Sequence, residues 1–188
     1  MSNFEKAVDQ LLVHEGGYVN NVNDSGGATS FGVSLHFLLD KGLLGDFNND
    51  GVVNIEDIKN MSVVDAKQVY RTCWWDKYQY GLINDQTIAT KVFDLSVNMG
   101  SVRAHKLLQN ALNKAFGLRL TVDGVLGPAT FSVINSISDD KEQLLLTAYC
   151  NGAWAFYQSL IAANPSQQVF ARGWKNRAYA LSTANSVA

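Results

Sequence analysis

The sequence predicts a mainly α fold carrying one small β-hairpin, and three observations predict it. Apolar residues recur at three- and four-residue spacing through most of the chain. Glycine, proline and serine punctuate those stretches where helices begin and end. One stretch alone, Tyr18 to Ser34, alternates short polar and apolar residues around a glycine-rich turn. With 188 residues, the chain is long enough to bury a substantial core.

The elements follow in order. Phe4, Ala7, Val8, Leu11 and Leu12 make one helical stripe, and Gly16-Gly17 stop it. Tyr18 to Ser34 then reads as a hairpin or ribbon around Asp24-Ser25-Gly26-Gly27. Ser34 is placed to cap a helix through Leu35, Leu38 and Leu39 to Gly42. After an oxygen-rich loop, Ser62 begins a helix with Val63, Ala66, Val69 and Tyr70 on one side. Ile88 to Val97 is apolar nearly all round, which marks a helix at the centre of a core. Ser101 to Phe116 is amphipathic. Asp123-Gly124-Val125-Leu126-Gly127-Pro128 is a turn whose proline suits the first turn of the next helix. Helices over about 141–163 and 166–184 close the chain. No internal repeat or low-complexity linker interrupts it.

Composition excludes several classes. Hydrophobic content of 47% and aromatic content of 11% are those of a globular protein. No apolar run approaches the roughly 18 residues that cross a bilayer. The first residues lack a basic segment followed by an apolar core, so no export signal is expected. The net charge of −2 conceals an asymmetry. Residues 1–100 hold 7 basic against 13 acidic side chains, and residues 101–188 hold 8 against 4. The later half is therefore mildly basic, without the dense stripe of a nucleic-acid binder. Cys73 and Cys150 are far apart and read as free thiols. No zinc-ligand spacing links them to His14, His36 and His105.

The chemistry concentrates at the end of the first helix. Glu15 stands where the helix meets two glycines, and Asp24 returns nine positions later in a polar turn. Cleaving a glycosidic bond needs one carboxyl that carries a proton to the leaving oxygen. It also needs a second that attacks the sugar or activates water. Partial burial near Tyr18 would raise the Glu15 pKa and keep it protonated, whereas Asp24 in a wet turn would stay ionised. Thr29 or Ser30 is available to hold a water or a sugar hydroxyl. On spacing alone, a helix-end acid at the surface and an Asx-turn aspartate account for the pair as well.

A second constellation occupies 46–57. Asp46, Asn48, Asp50, Asn54 and Asp57 place side-chain oxygens at loop positions 1, 3, 5, 9 and 12, with Gly51 at position 6 and the Val52 carbonyl at 7. That is the EF-hand arrangement for one structural Ca²⁺ ion. The departure is Asp57, where many such loops carry a longer, bidentate Glu. Asn at 9 with Asp at 12 resembles the calcium loops of dockerins, which pair two loops to bind a partner. A single loop fits a structural brace better; an acidic turn that holds no metal is the plainer alternative.

Further residues carry lesser signals. Trp74 and Trp75 point apart on a helix, and Trp75 is assigned to stack on a sugar ring, with core packing the alternative. Asp94 and Asn98 lie one helical turn apart and could line one cleft. Asp94, in so apolar a helix, equally needs a partner that ties helices together. Arg172, Lys175 and Arg177 surround Trp174 and suit either acidic wall groups or solvent.

Taken together, Glu15-Gly16-Gly17-Tyr18 and Asp24-x-Gly26-Gly27-x-Thr29-x-x-Gly32-Val33 resemble glycoside hydrolase family 108, N-acetylmuramidases of the phage endolysin type. The resemblance continues through Tyr70-x-x-x-Trp74-Trp75-Asp76 and Phe93-Asp94-x-x-Val97-Asn98-x-Gly100. Leu108-Gln109-x-Ala111-Leu112, Asp123-Gly124-x-x-Gly127-Pro128-x-Thr130 and Gly173-Trp174-x-x-Arg177 are similar to the predicted peptidoglycan-binding region that accompanies that family. The resemblance implies a lysozyme-like helical domain, to which the residues themselves add the small β-hairpin and the EF-hand-like calcium loop. It implies a catalytic region over 1–100, and a helical peptidoglycan-binding region over 101–188 packed onto it. The implied reaction is hydrolysis of the β-1,4 bond between N-acetylmuramic acid and N-acetylglucosamine, without a catalytic cofactor. Glu15 is then the acid, and Asp24 and Thr29 fall near the second carboxylate and threonine of phage lysozymes. Thr29 comes five residues after Asp24, where the wider pattern has six. Tyr18, Trp75, Asp94 and Asn98 are the sugar contacts expected. The expected partner is the glycan strand of peptidoglycan, not nucleic acid or membrane, met by a monomer. Such a protein would accumulate in a host bacterial cytoplasm and reach the wall after membrane permeabilisation. A lytic transglycosylase and a non-catalytic, calcium-dependent wall-binding module are the competing readings.

Overall fold

The computed structural model describes residues 1–13 and 28–181. Glu15, Tyr18 and Asp24 lie outside the described residues. The chain divides into two compact units, one over Asn3–Gln79 and one over Tyr80 onward joined by Met1–Ser2. Among the described residues no helix is long and apolar enough to cross a membrane.

In the first unit, helix α1 (Phe4–Leu12) begins where Asn3 accepts from the Lys6 N–H, and it buries Phe4, Ala7, Val8 and Leu11. Strands β1 (Thr29–Ser30) and β2 (Val33–Ser34) pair antiparallel, Thr29 opposite Ser34 and Ser30 opposite Val33. Their two-residue turn is Phe31-Gly32, both with positive φ, as a type I′ hairpin requires. The Asp24–Gly27 turn proposed from sequence lies outside the described residues. Phe31, at φ 48°, is an unusual residue there, and the Tyr70 hydroxyl fixes it by donating to its carbonyl at 2.8 Å. Ser34 caps α2 (Leu35–Leu39) through the Phe37 N–H. A 3₁₀ turn over Gly42–Gly45 leads into the 46–57 loop. Helices α3 (Ile55–Asn60) and α4 (Val63–Tyr70) both start in capping boxes, Asn54 with Asp57 and Ser62 with Asp65. Lys67 on α4 reaches Glu5 and Asp9 on α1 at 3.0 and 2.7 Å.

A π-helical turn, Arg71–Trp75, extends α4. It sends the two tryptophans to different surroundings. Trp75 goes inward, 4% exposed, edge-on to Phe4 with ring centroids 5.7 Å apart. Trp74 stacks on Phe37 at 4.8 Å and 20°.

The second unit is built on α5 (Gln86–Met99), capped by Asp85 and buried from Ile88 through Ser96. Helices α6 (Ser101–Phe116) and α8 (Asp139–Ala163) cover it, α7 (Pro128–Asn135) starts on the expected proline, and α9 (Ala171–Tyr179) packs on α8. The last helix of the sequence reading is divided. Asn164 is extended and caps a 3₁₀ segment, Pro165–Phe170, through the Ser166 N–H and hydroxyl. Only then does α9 begin, and Ala180 ends it in an extended conformation.

Candidate functional site

Of the residues expected to do chemistry, Thr29 is described on β1, half-buried, while its neighbour Ser30 is buried at 3% exposure. Strand alternation makes this choice: adjacent side chains leave opposite faces. Thr29 rather than Ser30 can therefore meet a solvent-borne group. Trp75 departs from its expected role. With 4% of its surface exposed it offers no ring face to a sugar, because the π turn directs it into the core against Phe4.

Asp94 and Asn98 share one side of α5 in the second unit, as their spacing predicts. Asp94 is buried, 8% exposed, and its Oδ1 lies 3.8 Å from Arg177 Nε. Fully buried Lys91 completes the arrangement by donating from Nζ to the Arg177 carbonyl. Burial pulls the Lys91 pKa down, with the Asp94 charge opposing that shift and Arg177 adding to it. Asn98 is exposed but accepts from the Tyr157 hydroxyl at 2.6 Å. Burial, then the Asp94 charge, pushes that phenol well up, so it stays a donor. The Gly173-Trp174-x-x-Arg177 motif thus holds α9 in place: Arg177 engages α5, and Trp174 stacks on Tyr157 at 5.1 Å and 18°.

A second network explains the Asp123-Gly124 motif. Gln109 on α6 donates to Asp123 Oδ1 and the Val125 carbonyl, and accepts from the Gly124 N–H. Gly124 has φ 84°, and a Cβ there would lie 2.9 Å from the Val102 carbonyl oxygen, so no side chain fits. His105 joins the Gly124 carbonyl through Nδ1 and the Tyr80 hydroxyl through Nε2; that hydroxyl also meets Ser96. A neutral imidazole protonated on Nδ1 satisfies this set, and burial lowers the His105 pKa accordingly. Sequence reasoning passed over His105, Lys91 and Tyr157. Lys91 carried a signal, a cation beside the nearly all-apolar run Val92, Phe93, Leu95, Val97; His105 carried none apart from its neighbours.

The 46–57 loop is closed by its own side chains. Asp46 accepts from the Asp50 and Gly51 N–H groups, Asn48 from Asp50 N–H, and Asp50 from Val52 N–H. Asp57, fully buried, accepts from Phe47 and Asn48 with one oxygen and from Asn54 with the other. Asn54 accepts from Glu56 N–H. Gly51 turns the chain at φ 86°. The donor set, five side-chain oxygen groups and the Val52 carbonyl, fits a hard cation. Among the described residues, however, no three His, Cys, Asp or Glu side chains are gathered as a metal site. The carboxylates instead serve backbone N–H groups.

Comparison with known proteins supplies the family. The Glycosyl hydrolase 108 model matches residues 8–100, a span containing Glu15, Asp24, Thr29 and the 46–57 loop. The Predicted Peptidoglycan domain model matches residues 103–179, the span of α6 to α9. No curated relative matches the chain. Among solved structures, that of Brucella abortus SagA is similar at 23% identity and a TM-score of 0.71, over 96% of this chain and 92% of that one. At that identity the likeness concerns the fold. The chain therefore carries a glycosyl hydrolase 108 domain followed by a predicted peptidoglycan domain.

Proposed function

We propose that this protein hydrolyses the β-1,4 bond between N-acetylmuramic acid and N-acetylglucosamine in peptidoglycan. The carrying observation is the coincidence, in one chain, of a glycosyl hydrolase 108 domain containing the Glu15/Asp24 pair and a predicted peptidoglycan domain. Glu15 protonates the glycosidic oxygen. Asp24, from the other side of the sugar, activates water or stabilises the oxocarbenium-like transition state. Thr29, half-buried on β1, holds that water or a sugar hydroxyl, and Tyr18 contacts the sugar. Trp75 is buried and Asp94 is buried beside Arg177, so neither is among the sugar contacts proposed; Asn98, exposed while its Oδ1 accepts from Tyr157, stays among them.

Glu15→Gln keeps the shape of the side chain and removes the transferable proton. It is expected to leave the melting temperature unchanged and to reduce clearing of a peptidoglycan suspension by at least about a hundredfold. Undiminished clearing by the variant defeats the assignment.

We also propose that the 46–57 loop binds one calcium ion through Asp46, Asn48, Asp50, Asn54, Asp57 and the Val52 carbonyl. Its support is the donor chemistry and the turn at Gly51. The ion is structural. It would offset two of the three carboxylate charges of Asp46, Asp50 and Asp57 and take no part in bond cleavage.

A further inference from the structure

We propose that Tyr70 is a positioning residue of the hydrolytic site: its hydroxyl, by holding the Phe31 carbonyl, fixes the hairpin whose first strand carries Thr29. The inference rests on the reading above that makes Thr29 part of that site.

The hairpin has little of its own to hold it in shape. Each strand is two residues long, Thr29–Ser30 and Val33–Ser34, and a short two-stranded ribbon is marginal in water by itself. Its turn works against it as well. Phe31 and Gly32 stand at φ 48° and 75°. Glycine takes that region freely, whereas the Cβ of a bulky L residue crowds its own carbonyl there. Turns of this type favour Asn or Asp before the glycine, because a short polar side chain tolerates the conformation. Phe31 has no such help, so its backbone is held from outside the turn.

The hairpin is tied at both ends. At the base, the Leu35 N–H donates to the Ala28 carbonyl at 2.9 Å. At the tip, the Tyr70 hydroxyl donates to the Phe31 carbonyl at 2.8 Å, across 39 positions of sequence. Tyr70 is 1% exposed, and its ring lies 5.7 Å from that of Trp74, which stacks on Phe37 of the helix leaving the hairpin. A packed ring therefore aims the hydroxyl. Thr29 lies between the two ties, opposite Ser34. The alternation that buries Ser30 and leaves Thr29 half-buried depends on the strand keeping this path. A group that must hold a water or a sugar hydroxyl loses much of its effect when displaced by about an ångström. Losing a hydroxyl that touches no substrate is thus felt at the reaction. The rival reading is a bond that serves stability alone.

The test measures kcat and KM for release of reducing ends from soluble, uncrosslinked peptidoglycan strands, together with melting temperatures. It compares the full-length parent, Tyr70→Phe, Phe31→Asn and Tyr70→Phe/Phe31→Asn. At a temperature where it is folded, Tyr70→Phe is expected to lower kcat about tenfold, with KM within about twofold of the parent's. An Asn before the glycine favours the turn by itself. In the Phe31→Asn background the same loss of the hydroxyl is therefore expected to change kcat by less than about twofold. Comparing the two backgrounds cancels whatever the loss of the Phe31 ring does. A lower melting temperature with unchanged kcat makes the bond structural and overturns the proposal. Equal loss of kcat in both backgrounds, or a rise in KM alone, overturns it too. If Tyr70→Phe does not fold, the Phe31→Asn pair decides: matching kcat supports the proposal, and a tenfold gap (on the order of the effect expected above) overturns it. A parent that cuts the strands while every variant equals it rejects the positioning role and leaves the hydrolase reading standing. A parent that releases no reducing ends rejects both.

Discussion

Glu142 stands in the first turn of α8, facing Asp85 at the start of α5 and Asp139 on its own helix, around a cavity of about 60 Å³. Burial first, then the charge and hydrogen bond of Asp85, raises its pKa from 4.5 to about 7. A raised carboxyl pKa means the folded state holds a proton that the unfolded chain has released. The resulting stabilisation is complete below pH 4.5 and is lost as pH rises through about 7. His105 acts oppositely. Its lowered pKa makes the fold lose stability as pH falls below 6.5. Replacing Glu142 by Gln separates the two. The melting temperature of Glu142→Gln is expected to exceed the parent's above pH 7, and to lose the decline between pH 4.5 and 7. Superimposable melting-temperature profiles for the two proteins would refute the shared proton. The pair was not legible in the sequence, because Asp85 and Glu142 are 57 positions apart and only the packing of α8 beside α5 brings them together.

At the scale of elements, the 46–57 loop shows how far local sequence reaches. Asp46, Asn48, Asp50 and Asn54 accept from backbone N–H groups a few residues on, which is short-range chemistry, while Asp57 closes the loop by accepting from Phe47 and Asn48 at its start. If it takes calcium as proposed, binding stabilises the folded state by mass action. Chelation is then expected to lower the parent's melting temperature by several degrees, on the order of a few kcal/mol of linkage. An Asp46→Ala/Asp50→Ala variant should melt at the same temperature with and without chelator. Scanning calorimetry reads both, and a parent indifferent to chelator removes calcium from the account. The same local logic made the starts of α2, α4 and α7 readable from Ser34, Ser62 and Pro128. It failed at Trp74-Trp75, where a π turn replaces the regular helix that the spacing suggested. Around that turn Trp75 meets Phe4 and Trp74 meets Phe37.

For the whole molecule, the decisive measurement is the product. Digestion of sacculi followed by mass spectrometry is expected to give reducing N-acetylmuramic acid ends, one water heavier per cleavage than a transglycosylase product. Fragments ending in 1,6-anhydro sugar would replace hydrolysis by transglycosylation. Reducing N-acetylglucosamine ends would move the cut to the other linkage. The charge asymmetry bears on the same substrate. Seen in the sequence only as a basic later half, it includes in the structure an acid-free run over most of α8, the 3₁₀ segment Pro165–Phe170 and α9.

The sequence by itself determined the mainly helical class, most helix starts and the family, because caps, stripes and motif spacings are local or additive. It also supplied the Glu15/Asp24 pair on which the proposed function rests. Only the tertiary structure decided that Trp75 faces the core, that Asp94 pairs with Arg177 while Lys91 donates to the Arg177 carbonyl, and that His105 and Gln109 hold the Asp123-Gly124 turn. Those roles depend on which distant side chain arrives to meet a buried polar group, and helical periodicity carries no record of that partner.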